Sequence, residues 1–231
     1  MPDLLIRPAE PEESDAVAAL YGRSRAAAAM PPGIHTAEED RSWFGARLRD
    51  SEHEVWVGER DGSLLGYALA TSTWLDHLFV DPDVQGTGVG GALLDTVKGV
   101  RPDGLCLWVF ESNTPARAFY ERRGFVALER TDGSGNEERS PDVRMAWPGQ
   151  DPVTFFRRLI DEVDDSLGDL LARRVALTRA VQEVKESRER DAAREREIAE
   201  RLARLAPELG ADRLARIVHA IVTESLDAVR R

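Results

Sequence analysis

The segment Gln85-Gly86-Thr87-Gly88-Val89-Gly90-Gly91 follows the apolar stretch Trp74–Val80 and runs straight into Ala92-Leu93-Leu94, the start of an amphipathic helix pattern. Glycines let a backbone approach a ligand closely, and the free N–H groups at a helix start, aligned with the helix dipole, favour a phosphate or pyrophosphate. No Lys-Ser/Thr pair follows the glycines, which excludes a Walker-type loop. The chain also does not open on the parallel βαβ unit of a dinucleotide fold. A second candidate site lies far downstream. Apolar residues recur at Phe156, Ile160, Val163, Leu167 and Leu170/Leu171, then at Leu177, Val181 and Val184, at helical spacing. Arg174 interrupts this stripe and Lys185 falls beside it. In a second helix Ile198, Leu202 and Leu205 project back onto Asp191, Arg194 and Glu195, and in a third Leu214, Ile217, Val218 and Ile221 lead to Ser225. Charges on an inward face are costly unless paired or occupied, so the pattern points to an anion-binding site, against the alternative of a dimerisation module with charges at the stripe edge. Arg157 stands 17 residues before Arg174, about 25 Å away on one helix at 1.5 Å per residue. Both can serve one small ligand only if crossed helices of a dimer bring Arg157 of one protomer to the Arg174 site of the other.

The elements that must position these residues divide the chain in two. Of its 231 residues, 42% are hydrophobic and 32% charged, enough apolar material for real cores. Sixteen of the 18 Gly, ten of the 12 Pro and all five Trp fall before residue 151. That first part reads as strand (Leu4–Arg7), Ala-rich helix with an acidic start, and a break at Pro31-Pro32-Gly33. A second helix through Leu48 opens on the capping pair Thr36/Glu39. Strands at Val55–Glu59 and Leu64–Thr71, joined by the turn pair Asp61-Gly62, precede the strand Trp74–Val80. Helix (about 88–99), strand (105–110), helix (about 113–123) and strands at 125–130 and 143–147 complete an α/β domain with a mixed sheet. From Pro152 the chain is nearly free of Gly and Pro until Pro207 and Gly210, which implies long helices. The domains are therefore 1–148 and 153–231, with a linker over 149–152.

Charge narrows the function classes. The first 150 residues carry 15 Lys+Arg against 25 Asp+Glu, and the remainder 16 against 17. An acidic surface argues against nucleic acid, whose affinity rests on neutralising phosphates. No apolar run approaches a membrane span, and Met1-Pro2-Asp3 does not begin a signal peptide, so a soluble, cytoplasmic protein with small-molecule partners is expected. Cys106, in the apolar run Leu105–Phe110, reads as a packed strand thiol. The polar block 131–142 is either a solvated hairpin loop or a loop facing a cationic ligand with its carboxylates, with the Met30–Thr36 loop as the other candidate wall.

Two blocks carry a family resemblance. Gln85-x-x-Gly88-x-Gly90 after a strand resembles the acetyl-CoA signature of the GNAT N-acetyltransferases, and Asn113-x-x-Ala116-x-x-Phe119-Tyr120-Glu121-x-x-Gly124-Phe125 resembles the second block of that family. The resemblance implies a GNAT fold over residues 3–148 and acetyl-CoA as cosubstrate, without a metal. It places the pyrophosphate on Gln85, Gly86, Thr87, Gly88, Val89 and Gly90. The pantetheine arm would lie along the main chain of the strand at Leu78 and Val80, assisted by Asn113. Tyr120 would protonate the leaving thiolate, with a core aromatic as its plain alternative. The base that deprotonates the amine would be Asp76, with Glu111 and a water relay as rivals, while His77 on the opposite face of a regular strand is a packed or surface residue.

Residues 153–231 resemble the all-helical (AroQ-class) chorismate mutases, intertwined three-helix homodimers, through Arg157-Arg158-Leu159-Ile160-Asp161, Leu170-Leu171-Ala172-Arg173-Arg174, Val184-Lys185 and Asp191-x-x-Arg194-Glu195. By this resemblance Arg157 from the partner chain, Arg174 and Arg194 hold the two carboxylates of chorismate. Lys185 meets the ether oxygen, Glu195 and Asp191 lie near the ring hydroxyl, and Ser225 lies near a carboxylate. The rearrangement to prephenate needs only a held conformer and cations aimed at the charge that develops on that oxygen. Val229 stands where the family usually has a Gln, sometimes a Glu, one turn after the serine, and the connection 185–191 is a few residues shorter than usual and lacks the normal Gly/Pro break.

Overall fold

The computed structural model describes residues 3–184 and 191–229, which fall into two compact units, Met1–Phe156 and Arg157–Arg231. In the first unit β1 (Leu5–Pro8), β2 (Glu54–Arg60), β3 (Ser63–Ala70) and β4 (Leu75–Val80) form one antiparallel sheet in sequence order. β5 (Leu105–Phe110), β7 (Asp142–Trp147) and β6 (Val126–Thr131) form a second. The expected mixed sheet is thus two antiparallel sheets whose parallel join is confined to one bridge, Trp74 to Cys106, with the Cys106 N–H donating to the Thr73 carbonyl at 2.8 Å. Beyond this bridge β4 and β5 diverge. A bulge at Asp76 contributes to the divergence: Leu69 pairs with His77 and Ala70 with Leu75, so Asp76 has no partner in β3 and β4 bends there.

Local sequence accounts for most element ends. In α2 (Ala37–Arg47) the Thr36 hydroxyl accepts from the Glu39 N–H and the Glu39 carboxylate accepts from the Thr36 N–H, the reciprocal cap expected from the spacing. Asp61 and Gly62 both have positive φ, 52° and 74°, which is the geometry a tight two-residue hairpin requires. α1 (Ser14–Ala27) and α2 cover one face of the first sheet, burying Val17, Leu20 and Phe44 against Val57, Tyr67 and Leu69. α3 (Val89–Val100) presents Val89, Leu93, Leu94 and Val97 to a second cluster with Leu105, Leu107 and Met145, joined by Tyr120 of α4 (Thr114–Arg122). Cys106 is buried in β5, as its apolar setting suggested. Phe155 is likewise buried, over Gly104.

The second unit is all helix: most of α5 (Pro152–Val184), then α6 (Ala192–Leu205) and α7 (Ala211–Val229). Among the described residues its buried ones are few, Ala199, Leu214, Val218 and Ser225. The apolar stripe of α5 is present as read, but one chain leaves it in solvent: Val163 is 64% exposed, Leu177 68% and Val184 83%. Among the described residues no helix is long and apolar enough to cross a membrane.

Candidate functional site

Where β4 and β5 part, a cleft of about 740 Å³ opens between the two sheets. One side of it is the edge of β4. The Asp81 N–H crosses to the Leu65 carbonyl, so the alternation of an antiparallel ladder turns the main-chain groups of Leu78 and Val80 away from β3. The Val80 carbonyl is taken by the Ser24 hydroxyl at 3.0 Å and the Gln85 side-chain amide at 3.3 Å. The Leu78 edge borders the cleft.

The glycine loop has the expected open main chain. Gly86 and Gly88 adopt φ of 78° and 99°, and no atom lies within 4 Å of where a Cβ would stand. The first helical bond of α3 runs from the Ala92 N–H to the Gly88 carbonyl, so the N–H groups of Val89, Gly90 and Gly91 precede it, at the positive end of the helix. The side chains of Gln85 and Thr87 turn inward instead, Thr87 onto the Val84 carbonyl at 2.7 Å, and so lock the loop. A Cβ on Gly91 would strike the Arg123 guanidinium, which pairs with Asp95.

On the far wall Asn113 caps α4 with its Oδ1 on the Ala116 N–H (3.2 Å) and borders the cleft. Tyr120 also borders it; the ring is 8% exposed against Phe119 and Phe125, and burial pushes the phenol well above its ordinary range, so it holds its proton at neutral pH. Asp76, freed by the bulge, borders the cleft, its carboxylate making no hydrogen bond among the described residues, and desolvation raises it above the usual range, opposed by the nearby His53 and Arg47 charges. Glu111, the rival carboxylate, is bound by Arg130 at 2.6 Å outside the cleft.

His77 is packed, but it also lines the cleft. It lies parallel to Tyr21 and Trp43 at 5.4 and 5.2 Å and shares a 2.9 Å hydrogen bond with the Tyr67 hydroxyl. Burial, with some help from Arg25, lowers it to about 4, so it is neutral. The 131–142 loop faces the cleft, although Glu138 and Glu137 are spent on Arg25 (2.6 Å) and His35 (3.0 Å).

In the second unit α5 and α7 bring together Arg174 and Ser225, 51 residues apart, at 2.6 Å; the same guanidinium donates to the Ile221 carbonyl at 3.3 Å. Ser225 is buried and also donates to that carbonyl. The other candidates do not join them. Asp191 caps α6 by accepting from the Arg194 N–H, the exposed Arg194 side chain pairs with Glu197, and half-buried Glu195 faces His219 at 3.7 Å. Arg157 is exposed at the start of the unit on the same unbroken helix as Arg174, and Lys185 lies outside the described residues.

Residues 51–127 match the acetyltransferase (GNAT) domain family, and residues 156–229 match chorismate mutase type II. The peptidyl-lysine N-acetyltransferase YjaB of Escherichia coli is 30% identical over 144 residues, 62% of this chain and 97% of that protein. Its Salmonella typhimurium counterpart is 34% identical over 98 residues, 42% of this chain and 67% of that one. The chain belongs to the GNAT acetyltransferase family. The solution structure of apo YjaB from Escherichia coli superposes with a TM-score of 0.52 at 26% identity, covering 64% of this chain and 99% of that one. A GCN5-related N-acetyltransferase from Rhodopseudomonas palustris gives 0.53 at 26%, covering 64% and 96%. The same chain carries a chorismate mutase type II domain.

The GNAT cleft therefore gathers Leu78, Asn113, Tyr120 and Asp76 as read from sequence, and adds Tyr21, Arg25 and Glu129, which the sequence reading missed. Glu129 pairs with Arg144 just past a register shift in β6, a signal available only once the pairing is known. Tyr21 and Arg25 sit one turn apart on α1, in a run too Ala-rich to mark a site.

Proposed function

We propose that the first unit transfers an acetyl group from acetyl-CoA to a small amine-bearing acceptor. The acyl donor supplies an activated thioester. The main-chain N–H groups at the start of α3 suit its pyrophosphate, and the outward edge of β4 at Leu78 suits the amide arm, which Asn113 flanks. Asp76 accepts a proton from the acceptor ammonium, directly or through water, so that the neutral amine nitrogen forms the new C–N bond. Tyr120 gives its proton to the sulfur as the C–S bond breaks, and the second proton shed by the acylated nitrogen restores the phenol through water. The observation that carries this reading is a buried phenol on α4 that lines the same cleft as the freed carboxylate of the β4 bulge. Thiol release by the whole protein with a panel of amines tests it. Release that requires both an amine and acetyl-CoA, and that collapses in Tyr120→Phe, supports it; full activity in that variant overturns the assignment.

We further propose that the helical unit converts chorismate, or a close relative, to prephenate as a homodimer, with the protein resident in the cytoplasm. The exposed stripe of α5 supplies the apolar surface a second copy would cover, and Arg174 beside buried Ser225 supplies a fixed cation for a carboxylate. Arg194, Lys185, Glu195 and Asp191 of the same chain, with Arg157 supplied by the second copy, would complete the site. A second reading, a helical unit that only dimerises or senses an aromatic-pathway metabolite, is favoured by Arg194 being paired with Glu197 and by Val229 at the donor position. Chorismate disappearance in the full-length protein, abolished by Arg174→Ala, separates the two: binding without turnover selects the second.

A further inference from the structure

The His77 ring is held on several sides. Tyr21 and Trp43 lie parallel to it, Phe44 and Phe79 meet it edge-on at 5.8 and 5.6 Å, and the Tyr67 hydroxyl stands 2.9 Å from Nδ1. Tyr67 has no exposed surface, and its hydroxyl makes no other hydrogen bond among the described residues. A buried O–H left without an acceptor is costly, so the phenol donates, Nδ1 accepts, and the proton of the neutral imidazole sits on Nε2. Nε2 has no partner among the described residues, yet it is not sealed as the unbonded Nε of Arg25 is. Its N–H is therefore open to the space that the ring borders: the acetyltransferase cleft and a smaller cavity of about 290 Å³ that shares Tyr21, Arg25 and Glu138 with it.

The surroundings decide what this donor can take. An ammonium has no lone pair to offer an N–H, and the Arg25 charge, which reaches His77, repels it. A carboxylate is opposed as well, because Asp76, Glu129, Glu138 and Asp142 border the cleft against one guanidinium already matched to Glu138. A neutral carbonyl oxygen meets neither objection, and as a pure acceptor it brings no donor in need of a partner. The position of the oxygen follows from Asp76. Neighbouring Cα atoms stand about 3.8 Å apart, so groups held by Asp76 and His77 belong to one small fragment. Both residues also lie by α2: the Arg47 charge that reaches Asp76 sits over the Trp43 ring, which lies parallel to His77.

We propose that His77 is a specificity-determining hydrogen-bond donor of the acetyltransferase cleft, selecting acceptors whose amine has a neutral carbonyl on the next carbon, as in an α-amino amide. The inference rests on the acetyl-transfer reading above and names its substrate class. Asp76 takes the ammonium proton, and the Nε2–H of His77 holds the oxygen beside it.

The test is steady-state thiol release by the full-length protein with alaninamide and with its hydrocarbon analogue, in which methyl groups replace the amide oxygen and nitrogen. The two amines differ in basicity, but that difference is common to every variant and cancels when variants are compared. In His77→Phe the preference for alaninamide in kcat/KM should fall about tenfold, the size of one hydrogen bond, mainly through KM. His77→Gln, which can still present an N–H, should keep part of the preference. A preference unchanged in His77→Phe, or lost equally in His77→Gln, overturns the donor role. Nitrogen NMR of His77 in the unsubstituted protein decides the matter even if both variants fail to fold. A neutral ring protonated on Nε2, whose signal moves with alaninamide and not with the analogue, supports the proposal; a proton on Nδ1, or no response to alaninamide, overturns it. Absence of transfer to any primary amine overturns the transferase reading itself, whereas transfer that ignores the carbonyl overturns this inference alone.

Discussion

The two units bury their apolar residues in opposite ways. α3 hides Val89, Leu93, Leu94 and Val97 almost completely within its own chain, whereas α5 holds an equally regular stripe in solvent. The acetyltransferase cleft is likewise built from one chain's own strands and helices, while the helical unit joins Arg174 to Ser225 and leaves Arg157 and Arg194 outside that contact. A periodic apolar pattern therefore states that a face will be covered, but not by what. The first unit draws its cleft from its own chain; the proposal above gives the exposed stripe of the second to another copy.

The sharpest break of this comparison is Tyr120→Phe. Loss of a general acid costs about 10²- to 10⁴-fold in rate, and acetyl transfer should fall by that much, with any chorismate turnover by the helical unit untouched. Leu93→Ala and Leu177→Ala contrast the two stripes directly. Removing the fully buried Leu93 side chain should cost about 2–5 kcal/mol in denaturant unfolding of the first unit, whereas Leu177→Ala should change it by less than about 0.5 kcal/mol. If Leu177→Ala instead weakens self-association in sedimentation while leaving the first unit's unfolding unchanged, the exposed stripe is an interface.

Arg174→Ala should lower mutase-type turnover by about 10²- to 10³-fold, the usual worth of one charge-stabilising donor, with acetyl transfer retained. A parallel loss of both activities would show that the units are not independent.

A smaller effect concerns pH and the first unit alone. His77 is lowered from 6.5 to about 4 by burial, so below pH 6.5 the unfolded chain takes up a proton that the folded chain refuses. Stability from this residue is fully present above pH 6.5 and is lost as pH falls toward 4, by about 3 kcal/mol in all. His77→Gln should flatten the unfolding free energy of the first unit over that window, and an unchanged slope would remove His77 as its cause.

Much of this was legible in sequence, and the failures are physical. The Thr36/Glu39 cap, the Asp61-Gly62 turn and the open Gly86/Gly88 loop depend on neighbours a few residues apart, and all three formed as read. The split of the sheet was not legible, because the apolar stretches of β4 and β5 say nothing about whether their edges meet over one bridge or along their whole length. Regular alternation put His77 outside the site; the bulge at Asp76 breaks that alternation, and both residues reach the cleft. The carboxylates of the 131–142 loop looked available for a cation until the fold brought Arg25 and His35 to them from more than 100 residues away.

The junction after β7 bears on how the protein can be dissected. Gly149 has φ of 68°, and a side chain there would collide with the Pro102 carbonyl; Gly104 would collide with the Phe155 ring. The stretch read from sequence as a linker is therefore wedged against the acetyltransferase unit, and Phe155 closes that unit from within the first turn of α5. A truncation at Pro152 would uncover an aromatic-sized hole over Gly104. An expression boundary placed after Phe156 keeps that plug, and it is there, one turn into the long helix, that the two halves are best separated.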